Sequence, residues 1–345
     1  MKFYIVALSL TLVGSCATKS YKEKIADLKD NIVFEDKETI GKYASTITSS
    51  ELKYHVYSFS SDKFNGRKTG SLGHNAACEY LKDYYIKENI ASPIDSNYYF
   101  QEIPKSFFSN DIKASKNVIS YVEGNEKPEE VIIISGHSDH EGFTRTAIFN
   151  GADDNGSGTA AILEIAQAFK TAKENGNGPK RSIAFLHLTA EELGLEGSKY
   201  YTANPIFPLQ NTVANLNIDM IGRIDERHYD NPNYIYIIGA DRLSTELHYI
   251  SEAANNQFTD LELDYIYNDE NDGNRYYYRS DHYNFAQEGI PVIFYFNGEH
   301  EDYHKITDTA EKLDYELLER RTKLIFTTAW YLANSDERIK VDKEL

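Results

Sequence analysis

From Asn117 onward, short β-branched runs alternate with segments of helical period. Val118-Ile119-Ser120-Tyr121-Val122 and Val131-Ile132-Ile133-Ile134 predict strands. The second is apolar at every position, as a strand buried on both faces must be. Ile162, Ile165, Ala166 and Phe169 fall at i, i+3, i+4 and i+7, which predicts an amphipathic helix after Gly158. Ile183-Ala184-Phe185-Leu186 predicts another buried strand. Further strands are expected at 212–218, 234–238 and 291–296, with helices near 243–256 and 281–288. A closing helix is expected from about Leu313 to Leu332, with Leu318, Ile325, Ala329 and Leu332 on one side. Upstream, Ser49 or Ser50 is placed to cap a helix running toward Phe59, and residues 74–88 predict another. Strands alternating with helices specify an α/β domain with a mostly parallel, mixed central sheet flanked by helices.

The ends follow other rules. Lys2 precedes a largely apolar run to Val13 that is too short to span a bilayer. Leu12-Val13-Gly14-Ser15-Cys16 then resembles a bacterial lipoprotein signal. The expected layout is a signal at 1–15, a tether or N-terminal extension at 16–47, one folded domain at 48–335 and a charged tail at 336–345. Cys16 becomes the lipidated first residue, so the chain is expected to be exported and anchored to the cell envelope. An outer-membrane, periplasm-facing anchor is favoured, because no acidic run follows Cys16. Cys78 then lacks an intramolecular partner, and a disulfide framework is excluded.

The 345 residues carry 36 Lys+Arg against 54 Asp+Glu, a formal net charge of −18. That balance argues against nucleic acid as a partner, since phosphate binding needs basic density.

In open α/β sheets, ligands bind beyond the carboxyl ends of the strands. Here those ends deliver Gly136-His137-Ser138-Asp139, Thr189-Ala190-Glu191-Glu192, Asp219, and Glu299-His300-Glu301-Asp302-Tyr303-His304. Between the first two lies Gly151-Ala152-Asp153-Asp154-Asn155-Gly156-Ser157-Gly158. A carboxylate leaving a buried strand must find a cation or a donor. Histidine nitrogens with carboxylate oxygens, and no thiolate, form the ligand set of catalytic rather than structural zinc.

With these motifs the sequence resembles the co-catalytic zinc peptidases of metallopeptidase family 28, the aminopeptidase Y and glutamate carboxypeptidase II group. The resemblance spans roughly residues 48–332. It also rests on Gly66-Arg67-Lys68-Thr69-Gly70-Ser71, Asn217-Ile218-Asp219-Met220-Ile221-Gly222, Ser280-Asp281-His282 and Gly289-Ile290-Pro291. It implies a zinc exopeptidase fold of the phosphorylase/hydrolase-like kind, peptide substrates and two zinc ions. His137 and Asp219 match the private ligands of one ion, and Glu192 and His304 those of the other. Asp153 matches the bridging carboxylate, with a cis peptide expected at Asp153–Asp154. Glu191 matches the general base acting on a water held by the pair, and Asp139 the carboxylate that orients His137. Tyr303 is a candidate donor to the tetrahedral oxyanion. Aminopeptidase activity is the leading expectation. A glutaminyl-cyclase-like acyltransferase, which keeps similar ligands, and a non-catalytic peptide-binding lipoprotein are the alternatives.

The remaining histidines carry weaker signals. His140, His282 and His300 are expected to support or pack rather than ligate and His187 to lie in the core, while His55, His74, His228 and His248 carry no signal. Asp308 is expected to brace the His304 loop or cap the next helix. Gly66-Arg67-Lys68-Thr69 lacks the earlier glycine of a phosphate loop. Ser157 lacks a nucleophile-elbow context and belongs to the helix start. Tyr276-Tyr277-Tyr278-Arg279 fits either a pocket lining or aromatic packing. The stretch from 90 to 130 is too short for an inserted protease-associated domain.

Overall fold

The computed structural model describes residues 19–109 and 112–344. The signal segment and Cys16 lie outside them. The chain divides into two units, Met1–Val33 and Phe34–Leu345. In the first, helix α1 (Tyr21–Asn31) starts at a capping box: Ser20 caps the Glu23 amide while the Glu23 carboxylate accepts from the Ser20 amide.

The second unit begins earlier than expected. Helix α2 (Lys37–Ala44) falls inside the expected tether, yet its Tyr43 is fully buried and stacks on Trp330 with ring centroids 5.8 Å apart. Helices α3 (Ser49–Phe59), capped by Thr48, and α4 (Leu72–Lys87), capped by Ser71, follow. Then come strands β1 (Phe100–Ile103), β2 (Ser115–Val122) and β3 (Lys127–His137), and a small hairpin of β4 (Gly142–Phe143) and β5 (Ile148–Phe149). Helix α5 (Gly158–Glu174), strand β6 (Arg181–Leu188), helix α6 (Glu196–Ala203) and strand β7 (Thr212–Ile218) build the middle of the domain. Strand β8 (Tyr234–Ile238), helix α7 (Thr245–Phe258), strand β9 (Glu262–Asp264), helix α8 (His282–Gln287), strand β10 (Val292–Phe296) and helix α9 (Tyr315–Asn334) complete it.

The large sheet runs β1-β2-β6-β3-β7-β10-β8-β9. Its centre, β6-β3-β7-β10, is parallel, while β1, β2 and β6 pair antiparallel and β8 opposes β10. Every residue of β6 and β7 is buried, which is why their sequences show no alternation. Side chains alternate between the faces. Ile133, Leu186 and Phe294 join Tyr201 of α6 and Phe285 of α8 in one core cluster. Ile132 and Ile134 point the other way, toward the face that holds α5. All the expected strands form. The short edge strands β1 and β9 and the weakly patterned α6 were not foreseen, because few of their positions repeat an apolar period. The charged tail also packs: the Thr245 amide donates to Asp342 at 2.8 Å and Ile339 is buried.

Candidate metal centre

The carboxyl ends of β3, β6, β7 and β10 open on one rim, and the loop before α5 crosses it. Arg67 holds that loop in place. Its guanidinium is buried and donates to the carbonyls of Ser138, Asn150 and Gly151 at 3.1, 2.7 and 3.0 Å. Gly66 before it has φ +66°, and a Cβ there would lie 2.0 Å from the Gly142 carbonyl oxygen. The Gly66–Ser71 segment is therefore a buckle for the rim and not a phosphate loop. Asn155 stitches the loop to β7 by donating to the Ile218 carbonyl at 2.7 Å and accepting from the Gly158 amide at 2.9 Å.

The expected bridging residue is displaced by one position. Asp154, not Asp153, stands between the two histidines. Its Oδ1 is 3.1 Å from His137 Nε2, and its Oδ2 is 3.1 Å from His304 Nε2. Asp153 turns away, accepting from the Gly222 amide at 2.7 Å and meeting His300 Nε2 at 3.2 Å. The cis peptide likewise lies at Asp154–Asn155, one bond beyond the expected place. Two adjacent aspartates cannot share one direction, and the local chain path decides which faces the rim. Asp308 helps set that path by accepting from the Asp153 and Asp154 amides at 3.1 Å. It braces this loop rather than the His304 loop or a helix end.

The other four expected ligands do converge. His137 Nε2 is 3.1 Å from Asp219 Oδ1, and His304 Nε2 is 3.1 Å from Glu192 Oε2. Ligand atoms of one tetrahedral zinc lie roughly 3.3 Å apart. Asp154 Oδ2 is buried and faces the imidazoles of His304 at 3.1 Å and His140 at 3.7 Å. Arg279 in the same lining is paired with Glu299, and among the described residues no Lys or Arg forms an ion pair with Asp154, Glu191, Glu192 or Asp219, so the donor set fits a metal cation.

Supporting contacts fix the set. Asp139 orients His137 through its backbone, since His137 Nδ1 is 3.1 Å from the Asp139 carbonyl oxygen and 3.8 Å from its carboxylate. The carboxylate instead accepts from Thr69 at 2.7 Å and from the Glu191 amide at 3.2 Å, so it positions Glu191. Ser280 donates to Asp219 at 2.7 Å, and Asn217 donates to Ser280. His140, which sequence reasoning set aside, has Nδ1 2.8 Å from Glu192 Oε1. Its place one residue after Asp139, in the loop leaving β3, was the signal available. His300 supports Asp153, while His187 and His282 are buried in the core. Ser157 donates to the Asp153 carbonyl at the helix start.

Charge follows from this crowding. Burial pushes the Glu191 carboxyl well above its usual range; His137 opposes that, and Asp219 and Glu192 add to it. Burial alone would lower His304, but hydrogen bonds to Asp154 and Glu192 overturn it and raise the imidazole to about 10. His137 is likewise raised by Asp219 and Glu191 against burial. For Asp154 burial acts upward, yet His140, His137 and His304 hold its carboxyl well below the usual range. Three non-glycine residues here adopt positive φ: Ala190 before Glu191, Met220 after Asp219, and His304 itself, at 56°, 59° and 54°. Such backbone costs of order 1–3 kcal/mol each and persists only where the surroundings over-determine it.

Beside the candidate ligands, Met220, Tyr276, Phe294 and Phe296 give the pocket an apolar wall, with Tyr303, Arg279 and Glu299 at its rim. Tyr276 thus lines the pocket, whereas Tyr277 packs on His282 and Tyr283. Arg279 pairs with Glu299 at 3.0 Å and reaches the Tyr303 hydroxyl at 3.5 Å.

Relatives share this architecture. The model of peptidase family M28 matches residues 117–329. Leupeptin-inactivating enzyme 1 of Streptomyces exfoliatus is 30% identical over 270 residues, covering 77% of this chain and 52% of the relative. Aminopeptidase YwaD of Bacillus subtilis is 25% identical over 240 residues, covering 67% and 48%. The chain spans about half the length of these curated relatives. Among solved structures, the LapA aminopeptidase of Legionella pneumophila has a TM-score of 0.67 at 20% identity, covering 88% of this chain and 77% of that one. Glutaminyl cyclase of Porphyromonas gingivalis has a TM-score of 0.60 at 18% identity, covering 82% and 97%. At those identities the structural likeness is one of fold. The family match covers more than half of the chain, and the chain belongs to peptidase family M28.

Proposed function

We propose that this protein is a two-zinc exopeptidase, an aminopeptidase that removes amino-terminal residues from peptides. The observation that carries the reading is Asp154, whose two carboxylate oxygens each face a different histidine at 3.1 Å. His137, Asp219 and Asp154 would hold one ion, and Glu192, His304 and Asp154 the other. Bound zinc supplies Lewis acidity for the scissile carbonyl and lowers the pKa of water. The protein's own groups do the rest. Glu191, anchored through its amide to Asp139, takes a proton from the attacking water and returns it to the leaving amine. Its raised affinity for protons suits both halves of that transfer. The Tyr303 hydroxyl donates to the oxyanion.

Arg279, the one basic residue in the pocket lining, is paired with Glu299 at 3.0 Å and so is not free to receive a terminal carboxylate, which supports the aminopeptidase reading over a carboxypeptidase one. The terminal side chain meets Met220, Tyr276, Phe294 and Phe296. We also read the chain as an exported lipoprotein held in the envelope through Cys16. Metabolic labelling with a radioactive fatty acid tests this: loss of label in Cys16→Ser supports the anchor, and an unlabelled parent chain refutes it.

The test of activity uses zinc-loaded protein starting at Ala17 and peptides blocked at either end, with products read by mass spectrometry. Stepwise loss from free amino ends, absent in Glu191→Gln, is the expected result. Release from free carboxyl ends, or no cleavage of any peptide, would overturn the aminopeptidase reading. A single bound zinc would favour the cyclase-like alternative.

A further inference from the structure

Beneath two of the candidate ligands, the central strands carry polar side chains among apolar neighbours. The two-residue period places Ser135 and His137 on one face of β3. It places Asn215 and Asn217 on the same face of β7, with Asp219 in line with them just past the strand end. Ser135 lies opposite Asn217, and Phe294 of β10 flanks Asn217 on its other side. This is the face that carries Ile133, Leu186 and Phe294 of the core cluster. Ser135, Asn215 and Asn217 are fully buried in it.

These side chains form one directed chain of hydrogen bonds. Asn215 Nδ2 donates to Ser135 Oγ at 2.8 Å, and Ser135 Oγ donates to Asn217 Oδ1 at 2.8 Å. Asn217 Nδ2 donates to Ser280 Oγ at 2.8 Å, and Ser280 Oγ donates to Asp219 Oδ2 at 2.7 Å. Every donor points toward the rim. The last acceptor is a candidate ligand whose other oxygen faces His137 at 3.1 Å. Each joint sets the direction of the next. With its amide oxygen turned to Ser135, Asn217 offers N–H to Ser280. Having accepted there, Ser280 keeps its single proton for Asp219. Bonds in series polarise one another, so the donation to Asp219 is stronger than an isolated hydroxyl would make it.

Stability does not account for this arrangement. Buried polar groups are costly unless paired, and apolar groups of the same shape fill a core at similar or lower cost. The chain also starts with a defect, since the Asn215 amide oxygen has no hydrogen-bond partner among the described residues. What its members share is their place upstream of Asp219.

We propose that Asn215, Ser135 and Asn217 are positioning residues for the metal centre, which act through Ser280 to hold the Asp219 carboxylate in the orientation that turns Oδ1 to His137. The inference rests on reading the rim as a metal centre and not on which peptide end is cut. It requires an effect on the His137–Asp219 half of the rim that fades along the chain, from Ser280 through Asn217 and Ser135 to Asn215.

Zinc titration of the full chain against a metal-sensing dye tests the proposal, beside urea denaturation of the metal-free protein. Ser135→Ala is expected to weaken zinc about tenfold at the His137–Asp219 half. Asn215→Leu should weaken it less, and the Glu192–His304 half should be unchanged in both. In cobalt-loaded protein, the visible absorption of the first half should shift in Ser135→Ala, because those bands report ligand geometry. Should Ser135→Ala fail to fold, the double variant with Asn215→Leu removes both partners of one bond and keeps the test open. A chain that only stabilises the fold would lower the urea midpoint and leave zinc affinity and the cobalt spectrum as in the parent. That result, or equal weakening at both halves, overturns the proposal. A parent chain that binds no zinc would instead overturn the metal centre itself, and the proposal with it.

Discussion

The two halves of the metal rim are built differently. His137 and Asp219 leave the ends of adjacent parallel strands, β3 and β7, and their side chains are 1% and 11% exposed. Asp139 and Ser280 hold both from behind. Glu192 and His304 come from turns beyond β6 and β10, and the His304 side chain is 36% exposed. One half is set by the sheet and the other by loop conformation. Preorganised ligands lose little freedom on binding, whereas loop ligands must be ordered. The strand half should therefore hold its ion more tightly, with Asp154 coupling the two.

The largest effect should fall on the base. Glu191→Gln is expected to lower kcat about a thousandfold with zinc content unchanged, as read by steady-state assay beside elemental analysis. An equal loss of zinc would move Glu191 from the base to the ligands. Next comes the shared aspartate. Asp154→Asn should drop bound zinc from both halves, while Asp153→Asn keeps it; the reverse pattern in elemental analysis would restore Asp153 as the bridge.

A smaller effect separates the halves directly. His304→Ala should retain one tight equivalent of zinc, whereas His137→Ala should retain none at the same free-metal concentration. Competition with a metal-sensing dye reads both, and equal retention would erase the contrast. Supporting residues come below that. Ser280→Ala and His140→Ala should each weaken zinc about ten- to a hundredfold, the first at the tight step and the second at the weak one.

The effect that is smallest near neutrality is in pH, and it grows only on acidification. His74, whose Nε2 lies 3.1 Å from the Ser138 hydroxyl behind His137, is pushed down to about 3, first by burial and then by Arg67 and Lys116. Between pH 6.5 and 3 the unfolded chain binds a proton there and the folded chain does not. Stability should thus fall with acid by about 1.4 kcal/mol per pH unit for this group. His304, on the loop half, has the opposite sign in metal-free protein. Its folded value is raised to about 10, so its contribution is full below about pH 6.5 and disappears as pH rises through 10. Urea denaturation of metal-free protein across pH, with His74→Asn flattening the acid limb alone, checks both signs.

Most of the site was legible because strand ends are legible. His137, Glu192, Asp219 and His304 each follow a buried apolar run, and Glu191 precedes Glu192. Sequence does not separate Asp153 from Asp154, because the two are chemically identical and sit in one loop. It does not single out His140, because the use of that ring depends on Glu192, 52 residues away.

The family, the order of the strands along the chain and the chemistry offered at their ends were determined by sequence alone, because apolar period and residue type are local properties. Which aspartate faces the rim and which histidine steadies Glu192 were decided only by the tertiary structure. Those outcomes depend on where backbone amides and distant side chains come to rest. Asp308, more than 150 residues beyond the loop it braces, shows how far away the deciding group lies.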